Sequence, residues 1–375
     1  MKEGWEYKKL GEVCNIDFGT RVVRSRDAGS IYPVYGGGGA TFKMDIYNRE
    51  DCMVISRFGM SEQCTRFVKG KFFLNDSGLT LSMKKDCMIQ KFMDWQIFHL
   101  NNTIYSLGRG AAQKNLDTKA LAEVVIAYPN NLSEQQSIID YLDSAFAKID
   151  AMKANAEKAL GEAKALFQAS LKEMLEPKEG WEEKTLREVC SDIVDCPHTT
   201  PQKVGFPTQY PCIRTSELKG GSIDWSTMQY LDEDEYKKRV SRLVPKPNEL
   251  VYGREGTYGD AVLLPDGYSF SLGQRTMLLR PNEIYIIPRF LLYSMISPHV
   301  YQQAKAKNSG CGVGHVNVKD IKVFRIGLPT IDIQQSIVAN LDSLKSKVDR
   351  LQENYAKISQ ECAALKQAIL RKVFE

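Results

Sequence analysis

Gln135-Gln136-Ser137-Ile138, followed by Leu142-Asp143-Ser144, returns 199 residues later as Gln334-Gln335-Ser336-Ile337 and Leu341-Asp342-Ser343. A second pair of blocks stands nearer the start. Lys2-Glu3-Gly4-Trp5-Glu6, with Leu10 and Glu12-Val13-Cys14, returns 176 residues later as Lys178-Glu179-Gly180-Trp181-Glu182, Leu186 and Glu188-Val189-Cys190. The chain is written twice, and a repeat of this length governs the architecture before any local reading does. Because the offset grows from 176 to 199, the second copy is 23 residues longer, and the addition lies between the two matching blocks. The order is mixed segment, helix, mixed segment, helix. We place the limits at residues 1–131, 132–176, 177–330 and 331–375.

The two shorter segments read as helices. Ser133 with Gln136, and Asp332 with Gln335, have capping-box spacing, in which the first side chain caps a free helical N–H and the amide reaches back. From there the first helix presents Leu142, Ile149, Met152, Ala156, Ala159, Ala163 and Leu166. The second presents Leu341, Leu344, Val348, Leu351, Tyr355, Ile358 and Leu365. With Ala145 and Cys362 included, both series step alternately by three and four, the seam of a heptad coiled coil.

A single such stripe would be read as an amphipathic helix lying on its own domain. Here the first seam is lean through Ala156, Ala159 and Ala163, and the second is bulky. A lean and a bulky surface interdigitate to native density, so the expectation is that the helices pair with each other, antiparallel. That pairing would bring the C-terminus beside Met1. The sequence therefore predicts that a circular permutant joined there and opened in a loop will fold.

The mixed segments carry short β-rich runs such as 52–57, 71–74, 249–252, 261–264 and 275–279. They are punctuated by Gly36-Gly37-Gly38-Gly39, Pro265-Asp266-Gly267 and the glycine-rich stretch 310–314, with shorter helices near 92–107 and 289–306. Each reads as α+β. The fold class expected is two α+β domains separated by two long helices that form an antiparallel coiled coil, as a pseudo-two-fold internal repeat.

At 375 residues with 43% hydrophobic and 26% charged residues, the composition is globular and excludes a disordered or collagen-like chain. No run approaches the roughly 18 apolar residues of a membrane span. The charged start with Trp5 and Tyr7 is unlike a signal peptide, so the reading is a soluble, cytoplasmic protein. Nine cysteines, odd in number and without a CxxC pair, favour free thiols over disulfides or zinc. The net charge of +4 divides as +4, −3, +2 and +1 over the four segments in order, so the basic excess sits mainly in the mixed ones. That suits an acidic partner such as DNA without demanding one.

Catalytic constellations are missing. There is no GxxxxGK[ST] phosphate loop, and the glycines of 253–259 and 310–314 lack dinucleotide-site spacing. The four histidines have no ligand-spaced partners, no cofactor is called for, and no Asn/Asp-Pro-Pro-aromatic tetrapeptide of an amino-methyltransferase occurs. What the loops offer is arginine, lysine, amide and aromatic side chains beside glycine. In the first copy these are Arg21, Arg24, Tyr35, Arg57, Arg109, Gln113 and Lys114. In the second they are Arg214, Tyr252, Arg254, Gln274, Arg275, His315 and Asn317. Glycine allows close backbone approach, arginine bonds guanine in a bidentate manner, and glutamine or asparagine can do the same for adenine. An isolated surface arginine beside a turn usually faces only solvent, and recurrence in both copies is what raises these above that reading.

Taken together, the chain resembles the specificity subunit of type I restriction-modification systems over essentially its whole length. The likeness rests on Lys-Glu-Gly-Trp at 2–5 and 178–181, Tyr32-Pro33-Val34-Tyr35-Gly36 and Gly253-Arg254-Glu255-Gly256-Thr257-Tyr258-Gly259. It rests also on Gln113-Lys114-Asn115-Leu116 with Asn317-Val318 as partner, and on the two Gln-Gln pairs. Arg57-Phe58-Gly59-Met60 stands where the second copy has Arg254-Glu255-Gly256-Thr257, so the two domains would read different DNA words. The resemblance implies a non-catalytic subunit that binds double-stranded DNA at a split target, with the helices as a ruler. It implies as partners two methyltransferase subunits and the ATP-dependent restriction subunits, which carry the chemistry. Two other classes fit the residues less well: a coiled-coil adaptor with peptide-binding domains, and a nuclease or methyltransferase with a non-standard site.

Overall fold

The computed structural model describes residues 2–84, 87–256, 258–308 and 314–375. Thr257 of the 253–259 motif and positions 310–313 of the second glycine-rich stretch lie outside the described residues. The chain divides into two units, Met1–Asn155 with Ala356–Glu375, and Ala156–Tyr355. Among the described residues, no helix is long and apolar enough to cross a membrane, and the eight described cysteines are free thiols.

Each unit is built on the same strand pair. Trp5–Lys9 pairs antiparallel with Val125–Pro129 in the first, and Glu182–Thr185 with Arg325–Leu328 in the second. The Lys-Glu-Gly-Trp signature is the turn that launches it. Gly4 and Gly180 adopt φ of +78° and +82°, which only glycine takes without strain. The turn closes by Trp5 N–H donating to the Lys2 carbonyl and Trp181 N–H to that of Lys178. Both tryptophans thereby turn onto their cores, Trp5 edge-on to Phe92 at 6.1 Å.

The first unit's main sheet has six strands in the order Cys14–Phe18, Gly78–Met83, Arg49–Ser56, Thr65–Leu74, Tyr32–Tyr35 and Lys43–Met44. The Tyr32–Tyr35 strand runs parallel to Thr65–Leu74 and the other pairs are antiparallel. The second unit keeps the central order Cys190–Asp195, Thr276–Pro281, Leu250–Gly253 and Ala261–Leu263. Its additional length is localised. Cys190 and Arg254 are 64 positions apart, Cys14 and Arg57 only 43, so 21 of the 23 extra residues fall there. That stretch carries the helix Glu233–Arg239 and the hairpin Leu218–Lys219/Ser222–Ile223, which the first unit lacks.

The long helices are Leu132–Leu175 and Ile331–Phe374. The two capping boxes expected at their starts do not form. Asn131 caps the first helix, its Oδ1 accepting from Ser133 N–H at 2.8 Å, and Gln136 turns to Asp140 instead. Asp332 lies inside the second helix. The starts are set by the other glutamine of each pair. Gln135, fully buried, accepts from Ile89 N–H at 2.8 Å and donates to the carbonyls of Cys87 and Pro129 at 3.0 and 2.8 Å. Gln334 repeats this with Ile287 N–H, Tyr285 O and Pro329 O. Eight residues later, about two turns on and so on the same face, Asp143 accepts from Trp95 Nε1 (3.1 Å) and Lys91. Asp342 accepts likewise from Arg289 Nε (2.8 Å) and the Tyr293 hydroxyl. The repeated Gln and Asp thus bolt each helix to its own domain.

Within each unit the helices pair antiparallel. In the first, Leu142, Phe146 and Ile149 share a core with Leu370 and Phe374, and the Cys362 thiol lies 3.8 Å from the Ile149 carbonyl. In the second, Phe167, Leu171 and Leu175 meet Ile337, Leu341 and Val348. One column of the expected seam is displaced. Leu142, Ile149, Ala156 and Ala163 face inward, but Met152 and Leu166 are 59% and 57% exposed and Ala159 is exposed. Phe146, Leu160 and Phe167, one residue further on, are buried instead. The first helix is therefore not lean, and complementarity of small and large seams does not explain the pairing. Leu365 is likewise exposed, because Lys366 takes its place, its ammonium 2.5 Å from Asp150 and 5.0 Å from the Phe146 ring centre. Leu171→Ala should accordingly cost about 2–5 kcal/mol and Leu166→Ala under about 1 kcal/mol in chemical denaturation. Equal costs would restore the original column.

Both ends of the first unit pack on one ring. Trp5 and Phe374 each lie edge-on to Phe92, and Lys2 Nζ donates to the Val373 carbonyl. A permutant with Glu375 linked to Met1 and opened in the exposed turn at Asp266-Gly267 should therefore be soluble and melt within a few degrees of the parent. An insoluble permutant would count against it.

Candidate nucleic-acid interface

In the first unit the strand Arg49–Ser56 runs out at buried Ser56, whose hydroxyl donates to the Gly37 carbonyl at 2.5 Å. The residues beyond it turn outward as a short ladder. Leu116 N–H donates to Arg57 O, Met60 N–H to Lys114 O, and Phe58 bridges Asn115. The Asn115 side chain accepts from Gly59 N–H at 3.3 Å, and Gly59 sits at φ +59° with Gln113 Nε2 only 3.0 Å from where a Cβ would stand. Lys114 Nζ lies 3.9 Å over the Tyr105 ring, and Arg109, 80% exposed, pairs with Asp117 at 2.5 Å.

The glycine run divides into two halves. A Cβ on Gly36 would stand 2.2 Å from Ser77 Oγ and one on Gly37 2.6 Å from Phe58 O, whereas Gly38 and Gly39 face open space. Arg66 grips the run through the carbonyls of Gly37 and Gly38, and burial holds its pKa below the usual arginine range. Tyr35, at the head of the run, packs edge-on to Phe72. The fold thus gathers Arg57, Arg109, Gln113 and Lys114 around the backbone of this turn. Arg21 and Arg24 stand exposed on the segment that follows the Cys14–Phe18 strand.

The second unit has the same ladder with other side chains. Val316 N–H donates to Arg254 O, Gly256 N–H to Gly314 O, and Glu255 bridges His315. Arg254 thus occupies the place of Arg57, Glu255 that of Phe58, and His315 that of Asn115. Asn317 corresponds to Asp117, each preceding a short helix, so pairing it with Gln113-Lys114-Asn115 was two positions out. Glu255 lies 3.4 Å from Arg275 Nε and 3.7 Å from His315 Nδ1, and His315 Nε2 is 3.4 Å from Asn317 Oδ1. Gln274 donates to the His198 carbonyl at 2.9 Å. Arg275 is half exposed and sits at φ +69°, a strained setting for an arginine and one that clusters at functional sites.

Three of the sequence candidates in this unit do not present a free side chain. Arg254 is 6% exposed and its Nε is 2.9 Å from Asp195, to which His198 also turns. Arg214 spans buried Glu217 and the Thr227 carbonyl, closing the turn after Pro211–Ile213. Tyr252 is fully buried, and burial raises its hydroxyl pKa. Burial withdraws Arg254 and Tyr252, and an ion pair with buried Glu217 engages Arg214; the surrounding sequence shows neither.

One participant was overlooked. Phe18 lies 39 residues from Arg57 in sequence, yet its ring centre is 4.6 Å from the guanidinium carbon. Only the pairing of distant strands brings the two together, so no local signal marks the contact.

Residues 2–160 and 178–360 match the family described as Type I restriction modification DNA specificity domain. The chain belongs to that family. Among curated proteins it is similar to the type I restriction enzyme EcoBI specificity subunit of Escherichia coli, 21% identical over 291 residues. The match covers 70% of this chain and 60% of that protein, so the chain spans less than two thirds of its curated relative. Among solved structures it resembles one described under complex assembly and conformational transition of the type I R-M system, at 17% identity and a TM-score of 0.73. That match covers 100% of this chain and 98% of the other. It also resembles the HsdS subunit of Thermoanaerobacter tengcongensis, at 18% identity and a TM-score of 0.51, covering 100% and 97%. These likenesses concern the fold. The specificity-domain family accounts for the two matched segments, one for each copy of the repeat.

Proposed function

We propose that this chain is the sequence-reading subunit of a type I restriction-modification complex. Residues 1–131 and 177–330 each read one half of a split double-stranded DNA target, and the helices 132–176 and 331–375 fix the gap. Methyltransferase subunits dock on the chain, and restriction subunits join them in the cytoplasm. Methylation, translocation and cleavage belong to those partners, and the chain itself is not an enzyme.

One observation carries this reading. The scaffold is held constant by the same buried glutamine, the same helix-anchoring aspartate and the same glycine-tryptophan turn. The ladder tips diverge, with Phe58 and Asn115 in one unit and Glu255 and His315 in the other. Constant frame and variable tip is what reading two different words requires. The contacts proposed for the first half are Arg21, Arg24, Arg57, Arg109, Gln113 and Lys114, and for the second Gln274, Arg275, His315 and Asn317.

The test is methylome sequencing of a host carrying this chain with a type I methyltransferase subunit. The expected result is methylation at a two-part motif with a fixed gap. A peptide-binding adaptor would add no methylated motif and would show no salt-dependent DNA affinity.

A further inference from the structure

The two repeat-related arginines have opposite settings. Arg254 is drawn inward by Asp195 and buried. The sheet register places the first-unit counterpart of Asp195 at Phe18: the strand from Cys190 carries a bulge before Asp192, and Asp195 then stands opposite Met277 as Phe18 stands opposite Leu79. A ring therefore stands in the first unit where the second has the carboxylate. Among the described residues no carboxylate lies within ion-pair distance of Arg57, whose side chain makes one hydrogen bond, from Nη1 to the Asp76 carbonyl at 3.5 Å.

Two rings hold Arg57 instead. Its guanidinium carbon lies 4.6 Å from the Phe18 ring centre and 4.5 Å from that of Phe58, and the rings are 46% and 38% exposed. The second unit has Asp195 and Glu255 at these places, so neither ring is repeated. A guanidinium between two ring faces is restrained in orientation while its N–H edge stays available, the condition for bidentate hydrogen bonding to a planar acceptor pair.

We propose that Arg57 reads a guanine in the DNA half-word of the first unit, and that Phe18 and Phe58 are positioning residues that aim its guanidinium at the base edge. In the major groove, guanine presents O6 and N7 as adjacent acceptors that match this fork. The second unit carries its corresponding readout elsewhere, since Arg254 is spent on Asp195. This rests on the DNA-reading function above and adds the base and the mechanism of aim.

The experiment is selection from randomised duplexes by the full chain co-expressed with a type I methyltransferase subunit, followed by sequencing of the bound pool. The parent should return two half-words with a guanine in one. Arg57→Lys keeps the charge but loses the fork, and should lower discrimination at that base pair alone by about tenfold or more. Phe18→Leu and Phe58→Leu should relax the same position by a smaller factor and leave the other half-word unchanged, which also reports correct folding. If Arg57→Lys leaves every position intact while both half-words persist, the arginine assignment is wrong and DNA reading stands. If the phenylalanine variants change nothing where Arg57→Lys does, the aiming role is wrong. A parent pool without enrichment removes the DNA reading and this proposal with it.

Discussion

Gln135→Leu is expected to unfold or severely loosen the first unit, although leucine matches the side chain in bulk and leaves no cavity. The amide is fully buried and serves three backbone groups: the Ile89 N–H and the carbonyls of Cys87 and Pro129. Leucine would strand all three away from water, and each stranded buried group costs about 1–3 kcal/mol. The sum, about 3–9 kcal/mol, is comparable to the whole stability of a marginal domain at about 5–15 kcal/mol. Hydrogen exchange should locate the damage. Amide protection at Ile89 and along the Val125–Pro129 strand is expected to collapse, while Ile287, held by the equivalent Gln334, stays protected. Gln136→Leu is the control, because that residue is exposed and bonds only Asp140, and it should shift stability by less than about 0.5 kcal/mol. Similar losses from both substitutions would mean that the buried clamp does not hold helix to domain.

The same pair of residues shows where sequence reasoning succeeds and where it stops. Repetition of Gln-Gln marks both helix starts, but spacing alone assigns the second glutamine to a capping box. It gives no sign that the first is buried against a loop some 46 positions earlier. The seam shows the same boundary. Positions 145 and 146, 159 and 160, and 166 and 167 are apolar side by side, so a heptad can be drawn through either column. The choice falls to the domain: Trp95 packs on Phe146 at 4.6 Å and Tyr293 on Phe167 at 6.1 Å, pulling the larger side chains inward. Contacts of that kind join elements distant in sequence and leave no periodic trace. At the interface the turn chemistry was legible, since Gly37 and Gly59 sit where a side chain would collide or strain. Which arginine is free was not, because that depends on Asp195 taking, across a strand bulge, the sheet position that Phe18 holds in the first unit.

Inserting one heptad into both long helices, at Asn155–Ala156 and at Tyr355–Ala356, should widen the gap of the recognised sequence without altering either half-word. Both helices pass between units at these points, away from the Gln and Asp anchors that tie each end to its own domain. Seven residues add about 10.5 Å at 1.5 Å per residue, close to three base pairs at about 3.4 Å each. Seven is also two full turns of a heptad seam, so columns such as Ile149, Ala156 and Ala163 return to register on both sides. Lengthening one helix alone would put the antiparallel pairing of one unit out of register with that of the other, so that pairs such as Ile149 with Cys362 and Asp150 with Lys366 or their counterparts in the second unit must break, and should melt part of the seam. Methylome sequencing reads the outcome directly. A gap about three base pairs wider with both half-words intact is the expected result. An unchanged gap, or a changed half-word, would mean that spacing is set within the domains and not by the helices that connect them.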